Sequence, residues 1–328
     1  GHAVFTRAMK REHTILAPQM SPIDFRFFEA ALNWAGYNVE VLRSVSRADV
    51  DEGLKYIHND ACYPAIIVVG QLIAALKSGK YDVGKTSVIM PQTGGGCRAT
   101  NYIALLRKAL ADAGMAGVPV ISLSAGMEKS PGFSLSLPVL DRMIMGAVYG
   151  DLLMRVLHRV RPYEKIPGSA NELYERWAVR CERALRHCGK GIFRENVRDI
   201  VRDFDDLEIV QRPKPRVGIV GEILVNYHPF ANNNLVELLE SEGAEAVVPD
   251  LLDFFLYCGY DRKIKYELLA GKFSNMVAGE LFIRVIDWYR GGARKALVAS
   301  RRFRPPVPIG EIARMAAKHL SLGNLTGE

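Results

Sequence analysis

The sequence lacks several patterns that would assign it to a common class of protein. It contains only five cysteines, an odd number without a C-x-x-C pair, which argues against a secreted disulfide scaffold and favours a reducing compartment. The longest nearly uninterrupted apolar run, residues 65–76, is too short for a membrane span and contains Gln71. Residues 1–4 show no basic and apolar regions of a signal peptide. We therefore expect a cytoplasmic protein with no membrane partner.

Patterns for binding nucleic acid and ATP are also missing. The net charge of +7 comes from 43 basic and 36 acidic residues, and the densest basic stretches, 212–216 and 301–304, accompany no recognisable nucleic-acid module. These stretches indicate a solvated surface, or a docking site for an acidic partner or a phosphorylated ligand, so we expect no nucleic-acid partner. Residues 94–97 lack the Gly-Lys-Ser/Thr ending of a P-loop, which predicts that this chain does not bind ATP.

Two of the cysteines that are present have similar surroundings. Cys62 precedes a segment of helical periodicity, and so does Cys97, which follows Gly94, Gly95 and Gly96. Helix N-termini favour thiolates, the form of cysteine that binds metals. The three glycines leave space for a bound group close to the backbone. Two such thiolates are suited to a shared soft-metal or iron–sulfur site.

Other interpretations of the cysteines stay open. A lone cysteine is more often a small buried hydrophobe than a ligand, and a glycine-rich loop before a helix also cradles phosphates. Two ligands do not complete a metal site. Cys181 and Cys188 lie two turns apart on one predicted helix face, and we expect both to be structural. A nucleophilic enzyme using Cys97 and a histidine is a further alternative, for which the sequence identifies no base.

Alternating strands and helices predict the first domain. Residues 13–18 predict a buried strand, and residues 22–35 a helix with Ser21 as its N-cap. Gly36 ends that helix, and residues 38–42 alternate as a second strand. Two further strands are predicted on either side of the helix after Cys97, at 86–90 and 118–123. This order implies a parallel sheet with ligands at the carboxyl ends of its strands.

The same order of elements returns after residue 212. A strand over 216–220 is followed by a helix that Pro229 opens and Gly243 closes, and then by a strand over 246–249. We therefore predict an α/β protein of two Rossmann/flavodoxin-like parallel-sheet domains, with extra helices between and after them. The predicted boundaries are 1–137 for the first domain, 138–212 for a helical connecting segment and 213–328 for the second domain. The second domain shows only two strands, so we expect it to be cut from something longer.

Three stretches of the chain resemble a known family. They are Asn-Asp-Ala-Cys-Tyr-Pro-Ala at 59–65, Gln-Thr-Gly-Gly-Gly-Cys-Arg-Ala-Thr-Asn-Tyr at 92–102, and Val-Gly-Ile-Val-Gly-Glu-Ile at 217–223. They are similar to the region that follows the ATPase modules of large acyl-CoA dehydratase activase proteins. That region is itself similar to the iron–sulfur subunits of 2-hydroxyacyl-CoA dehydratases and to double-cubane cluster proteins. The resemblance extends from about Thr14 over nearly the whole chain.

The resemblance implies an oxygen-sensitive iron–sulfur protein, 4Fe-4S or related, that receives low-potential electrons from an ATP-hydrolysing activator. In the dehydratase subunits three cysteines hold the cluster where two α/β domains meet, and the electron passes to a 2-hydroxyacyl-CoA thioester. Cys62 and Cys97 match the first two ligands. Cys258, the downstream cysteine of the second domain, has aromatic neighbours that fit a buried position better than a ligand loop. We therefore expect the third ligand beyond Glu328 and little activity from this chain alone.

The resemblance also brings in further site residues. Arg98 would bring positive charge near the cluster or hold a phosphate or carboxylate, although a surface ion pair is an equal alternative. Glu222 and Asn226 follow a predicted strand end and are candidates for the wall of the cleft. The alternative function is a non-catalytic module that binds an acyl-CoA or another small ligand, with the cysteines as spectators. A dimer is a possibility that the sequence leaves open.

Overall fold

The alternation of strands and helices produces a mixed α/β fold. The structure is a computed structural model that describes residues 2–93, 97–123, 130–187, 189–210 and 212–322. Over these residues it contains thirteen α-helices, one four-stranded parallel sheet and one two-stranded parallel sheet. The described residues form two compact units, unit 1 from residues 2–140 with 221–234 and unit 2 from residues 141–220 with 235–322. The three-part division predicted from sequence stays a prediction.

Unit 1 is built on the four-stranded sheet. Its strands are β1 (Thr14–Ala17), β2 (Val39–Val41), β3 (Thr86–Pro91) and β4 (Val120–Leu123), in the order β2-β1-β3-β4. All neighbours are parallel, with Ile15 opposite both Val39 and Ser87, and Val88 opposite Val120. Nearly every side chain of these strands is buried, as expected of a parallel sheet covered on both faces. The four strands predicted in this region are confirmed, with ends that move by up to two residues.

Helices cover this sheet and alternate with its strands. They are α1 (Met9–Glu12), α2 (Pro22–Trp34), α3 (Arg47–Leu54), α4 (Tyr63–Lys77) and α5 (Tyr102–Asp112). Ser21 is the N-cap of α2, as predicted, and its hydroxyl donates to the carboxylate of Asp24 at 2.6 Å. Gly36 follows α2 with a φ of +81°, a conformation that glycine adopts without steric cost.

α4 is the central helix of unit 1, and 11 of its 15 residues are buried. It contacts α3 backbone to backbone through two glycines. A Cβ on Gly70 would lie 1.9 Å from the carbonyl oxygen of Asp49, and a Cβ on Gly53 would lie 2.2 Å from that of Ile66. Any larger residue at either glycine would therefore force the two helices apart.

Gln71 is the polar residue within the apolar run of α4, and it fixes the loops at the carboxyl ends of two strands. Its Oε1 accepts from the backbone N–H of Gln19 at 2.9 Å. Its Nε2 donates to the carbonyls of Leu42 and Ser44 at 3.0 and 2.7 Å. The buried amide is thus satisfied, and the loops after β1 and β2 are held against α4.

The remaining elements follow in chain order. They are α6 (Leu137–Val160), α7 (Ser169–His187), α8 (Lys190–Asp206), β5 (Arg216–Gly218), α9 (Ile223–Tyr227), α10 (Leu235–Ser241), β6 (Glu245–Val247), α11 (Leu251–Glu267), α12 (Phe273–Ala299) and α13 (Ile309–Ala316). β5 and β6 pair in parallel and form the two-stranded sheet, with Val217 opposite Ala246. The two strands predicted for this region are thus present, both shorter than predicted. The predicted helix start at Pro229 is wrong, because Asn233 and Asn234 adopt positive φ values and α10 begins at Leu235.

A buried ion network holds three helices of unit 2 together. Asp151 of α6 accepts from the first backbone N–H groups of α11, at 2.6 Å from the nitrogen of Leu251. Arg290 of α12 is 5% exposed and donates to Asp250 at 2.6 Å and to Asp253 at 2.9 Å. Because each of these charged groups meets a partner, the network can be buried without an isolated charge.

The Gly70→Ala variant tests the close packing of α4. We expect it to lower the free energy of unfolding by about 3 kcal/mol or more, since the new methyl group would meet the Asp49 carbonyl and the backbones would have to shift. Thermal and urea unfolding measure the change. Gly291→Ala on α12 is the matched control, because a Cβ there meets no atom within 4 Å and alanine favours the helix. A similar loss in both variants would contradict this packing.

Candidate functional site

The two cysteines of the predicted site both precede helical turns at the edge of unit 1. Cys62 is the N-cap residue of α4 and is partly exposed. Cys97 is the N-cap of a 3-10 turn, Arg98–Asn101, that leads directly into α5. The sulfur of Cys97 accepts from the backbone N–H of Ala99 at 3.4 Å. The structure therefore places both sulfurs at helical N-termini, as the sequence predicted, and both can be reached from solvent.

Tyr102, the first residue of α5, connects the surroundings of these cysteines. Its side chain is 5% exposed, and its hydroxyl lies 3.4 Å from the sulfur of Cys62. Burial raises the Tyr102 pKa strongly, and the hydrogen bond with Cys62 and the nearby Glu222 and Cys97 raise it further. The phenol therefore stays protonated and can donate a hydrogen bond to a thiolate at Cys62. Cys62, Cys97 and Glu222 therefore all act electrostatically on the Tyr102 hydroxyl.

Glu222 belongs to a segment, residues 221–234, that packs on unit 1. Leu224 from this segment is fully buried in the same core cluster as Tyr102. Glu222 caps α9, and its carboxylate accepts from the backbone N–H groups of Leu224 at 3.0 Å and Val225 at 2.8 Å. Burial nevertheless raises the pKa of Glu222 above 4.5, the ordinary glutamate value, and the two hydrogen bonds offset this only in part. Burial thus favours the protonated form of this carboxyl group, which also acts on the Tyr102 hydroxyl.

Two further polar side chains of this segment are buried. Asn226 donates from its Nδ2 to the carbonyl of Gly221 at 2.8 Å, while its Oδ1 has no hydrogen-bond partner among the described residues. His228 accepts the Phe230 N–H at its Nδ1 at 3.2 Å, and its Nε2 has no partner in the same part of the chain. Burial lowers the pKa of His228, which favours the neutral ring. The sequence predicts Asn226 in the wall of a cleft; in the structure its side chain is 7% exposed and helps hold the turn that carries Glu222.

The structure describes Arg98 but not the three glycines that precede Cys97. Arg98 is exposed and forms no ion pair or hydrogen bond with any described residue, so the alternative of a surface ion pair has no support there. Its predicted role in holding a phosphate or carboxylate stays a prediction. Gly94, Gly95 and Gly96 lie outside the described residues, and their predicted role in cofactor binding stays a prediction too.

Gln92 occupies the carboxyl end of a strand, where the sequence predicts ligand-binding residues, and it connects the sheet to the turn after Cys97. It follows β3, and its Oε1 accepts from the hydroxyl of Ser122 on β4 at 2.8 Å. Its Nε2 donates to the carbonyl of Thr100 at 2.7 Å. Both ends of the loop around Cys97 are therefore tied to the carboxyl edge of the sheet. The position of Gln92 directly after a strand was the available signal for such a role.

The donor set fits part of a metal or cluster site. Cys62 and Cys97 supply two soft ligands, whereas the residues that the structure describes contain no group of three or more His, Cys, Asp or Glu side chains arranged to hold a metal ion. Cys181 is fully buried in α7, consistent with a structural role. Cys258 lies in α11, where burial raises its pKa and disfavours the thiolate. The described residues thus offer two candidate soft ligands and not a complete set.

Comparison with known proteins adds no assignment. The chain matches no family model, no curated protein and no solved structure. Among the described helices, none combines the length and apolar composition needed to cross a membrane. Any function must therefore be inferred from the chemistry of the site.

A pH-dependent stability difference tests the environment of Glu222. Because its pKa is higher in the folded chain than in the unfolded chain, ionisation costs stability as the pH rises through this range. We expect Glu222→Gln to gain stability relative to the wild type between about pH 4 and about pH 7. Urea unfolding followed by circular dichroism at both pH values measures this difference. Glu12→Gln, at an exposed position of unit 1, should show no such trend; an equal trend in both variants would refute the assignment.

Proposed function

We propose that the chain is an iron–sulfur redox component related to 2-hydroxyacyl-CoA dehydratase and activase proteins, with Cys62 and Cys97 as cluster ligands. One observation carries this proposal: two accessible cysteines at helical N-termini share the neighbourhood of a buried phenol that can donate to sulfur. Cysteine thiolates are the ligands of 4Fe-4S clusters. When bound, such a cluster supplies one-electron transfer at low potential.

The chain's own residues have distinct roles in this proposal. Cys62, at the N-terminus of α4, and Cys97, at the start of the turn Arg98–Asn101, hold iron. Tyr102 donates a hydrogen bond to the Cys62 sulfur. Burial raises the pKa of Glu222, which acts on the Tyr102 hydroxyl electrostatically and caps α9. Arg98, exposed and without a carboxylate partner in the described chain, would attract an anionic group such as the phosphate of an acyl-CoA.

The proposal extends to the fold, the partners and the compartment. Both parallel-sheet regions would be Rossmann-like domains. We place the third ligand outside the described residues. An ATP-hydrolysing activator, in the same polypeptide or a separate one, would deliver electrons to be passed to an acyl-CoA thioester in the cytoplasm.

Anaerobic reconstitution with iron and sulfide tests the two ligands. We expect brown protein with bound iron approaching about four atoms per chain, and loss of most of that iron in Cys62→Ala and in Cys97→Ala. Iron and sulfide assays and the EPR spectrum after reduction measure this. Cys258→Ala is the control, since the sulfur it removes lies in α11, and it should leave the iron content unchanged. Equal iron contents in the wild type and the three variants would refute the assignment of Cys62 and Cys97 as ligands.

The Tyr102→Phe variant tests the hydrogen bond to sulfur. Reduction adds negative charge to the cluster and its sulfurs, so removing a donor should make reduction less favourable. We expect the midpoint potential of the reconstituted protein to fall by roughly 40 mV, the equivalent of about 1 kcal/mol for a one-electron couple. Redox titration followed by EPR measures the shift. An unchanged potential would show that Tyr102 does not donate to the ligand.

The alternative function is a binding module without a cluster. It is favoured by the finding that the described residues contain no group of three or more His, Cys, Asp or Glu side chains that could hold a metal ion. A colourless protein that fails to bind iron but gains thermal stability with CoA would support this function.

A further inference from the structure

One helix of unit 2 presents a row of exposed apolar side chains. α12 has 27 residues and is therefore about 40 Å long. Five large apolar side chains in its first 16 residues recur every three or four positions and are between 39% and 62% exposed: Phe273, Val277, Leu281, Val285 and Trp288. This spacing places them on one face of the helix. Contiguous exposed rows of this kind mark surfaces that bind other proteins.

The same face of α12 continues into a groove against α8. The groove has a volume of about 1020 Å³ and begins at Trp288, the last member of the exposed row. Small or apolar residues line it, among them Val197, Val201, Gly291, Gly292, Ala296 and Ala299. A Cβ on Gly291 would meet no atom within 4 Å, so the space above this glycine is open. A second helix backbone could approach α12 closely at these small residues.

Positive charge surrounds the groove. Four of its cations recur every four residues along α8 and a fifth comes from α12: Lys190, Arg194, Arg198, Arg202 and Lys295. Two of the five are already neutralised. The Nζ of Lys190 lies 2.8 Å from the carboxylate of Asp141, and Arg202 lies 2.8 Å from that of Asp199.

The other three cations are available to a ligand. Arg194, Arg198 and Lys295 form no ion pair with any residue in the described part of the chain. The Arg194 guanidinium lies 5.8 Å from the ring centre of Trp288, so positive charge and the apolar row meet at this point. Asp205, which also lines the groove, is occupied by the backbone N–H of Arg301 at 3.0 Å. Three unneutralised positive charges therefore face the groove.

We propose that the α8–α12 groove and the apolar row of α12 together form a docking surface for an acidic amphipathic helix of a partner protein. The apolar face of that helix packs on the row and on the groove floor, and its carboxylates meet Arg194, Arg198 and Lys295. The cations of α8 recur every four residues, about 6 Å, which is also the spacing of glutamates along one face of a helix. A helix that binds in a groove in this way is a common mode of recognition.

Two other occupants fit this surface less well. A small phosphate-bearing ligand would match the groove but leave the apolar row uncovered. A second copy of this chain would bring a net charge of +7 to a basic surface. An acidic helix satisfies both the charge and the length of the surface.

Binding of a designed peptide tests the docking surface. The probe is a fluorescein-labelled helical peptide of about 20 residues, roughly 30 Å long, with glutamates along one face and leucines along the other. We expect saturable binding by fluorescence anisotropy, and no binding of the same peptide with lysine in place of each glutamate. The double variant Arg194→Glu/Arg198→Glu should weaken binding by about tenfold or more, because like charges would then face each other.

Matched controls separate docking from general charge attraction. Arg176→Glu/Arg183→Glu makes the same charge change at two exposed positions of α7 and should leave the affinity nearly unchanged. Leu281→Asn should weaken binding, whereas Leu268→Asn should not, although the two leucines are 62% and 63% exposed. Circular dichroism verifies that each variant is folded.

Several outcomes would overturn the proposal. One is the absence of saturable binding, and another is an equal loss of affinity in the two double arginine variants. If inorganic tripolyphosphate displaces the peptide and Leu281→Asn has no effect, the groove is a small-anion site. If the chain self-associates in sedimentation experiments and Arg194→Glu/Arg198→Glu makes it monomeric, the surface joins two copies of the chain.

Discussion

The backbone contact between α3 and α4 is the constraint on which the geometry of unit 1 depends. Gly53 and Gly70 let the two helices touch, and this contact keeps the apolar helix α4 buried. With its axis held in place, α4 presents Gln71 to the loops after β1 and β2 and Cys62 at its N-terminus. The most buried helix of the unit therefore also positions the candidate ligand. A loss of packing at Gly70 would therefore disturb the position of Cys62, although Gly70 itself is not a site residue.

Tyr102 is a second core residue of unit 1 that positions the candidate site. The side chain is held in the core that Leu224 also joins, so the phenol is fixed between the chain segments that carry Cys62, Cys97 and Glu222. Gln92 adds a second attachment by tying the Thr100 carbonyl to the edge of the sheet. The core residues of unit 1 thus act as the outer support of the site, as a binding site requires when its ligands come from distant parts of the chain.

Local patterns predicted the first sheet and its helices well, because each strand there is a short apolar run and each helix has clear ends such as Ser21 and Gly36. The start of α10 was predicted wrongly because the left-handed conformations of Asn233 and Asn234 depend on their context. The placement of Cys62 and Cys97 at N-termini could also be read from the sequence. The contact of Tyr102 with Cys62 could not, since the two residues are 40 positions apart and meet only through tertiary packing.

The surroundings of the cysteines also bear on the potential of the proposed cluster. Negative charge on the two sulfurs would be balanced by neutral donors, namely the backbone N–H of Ala99 at Cys97 and the phenol of Tyr102 at Cys62. Glu222 in its protonated form adds no further charge, whereas its ionised form would make reduction harder. Neutral hydrogen-bond donors stabilise added negative charge less than a full positive charge does, and such surroundings would suit the proposed transfer of low-potential electrons.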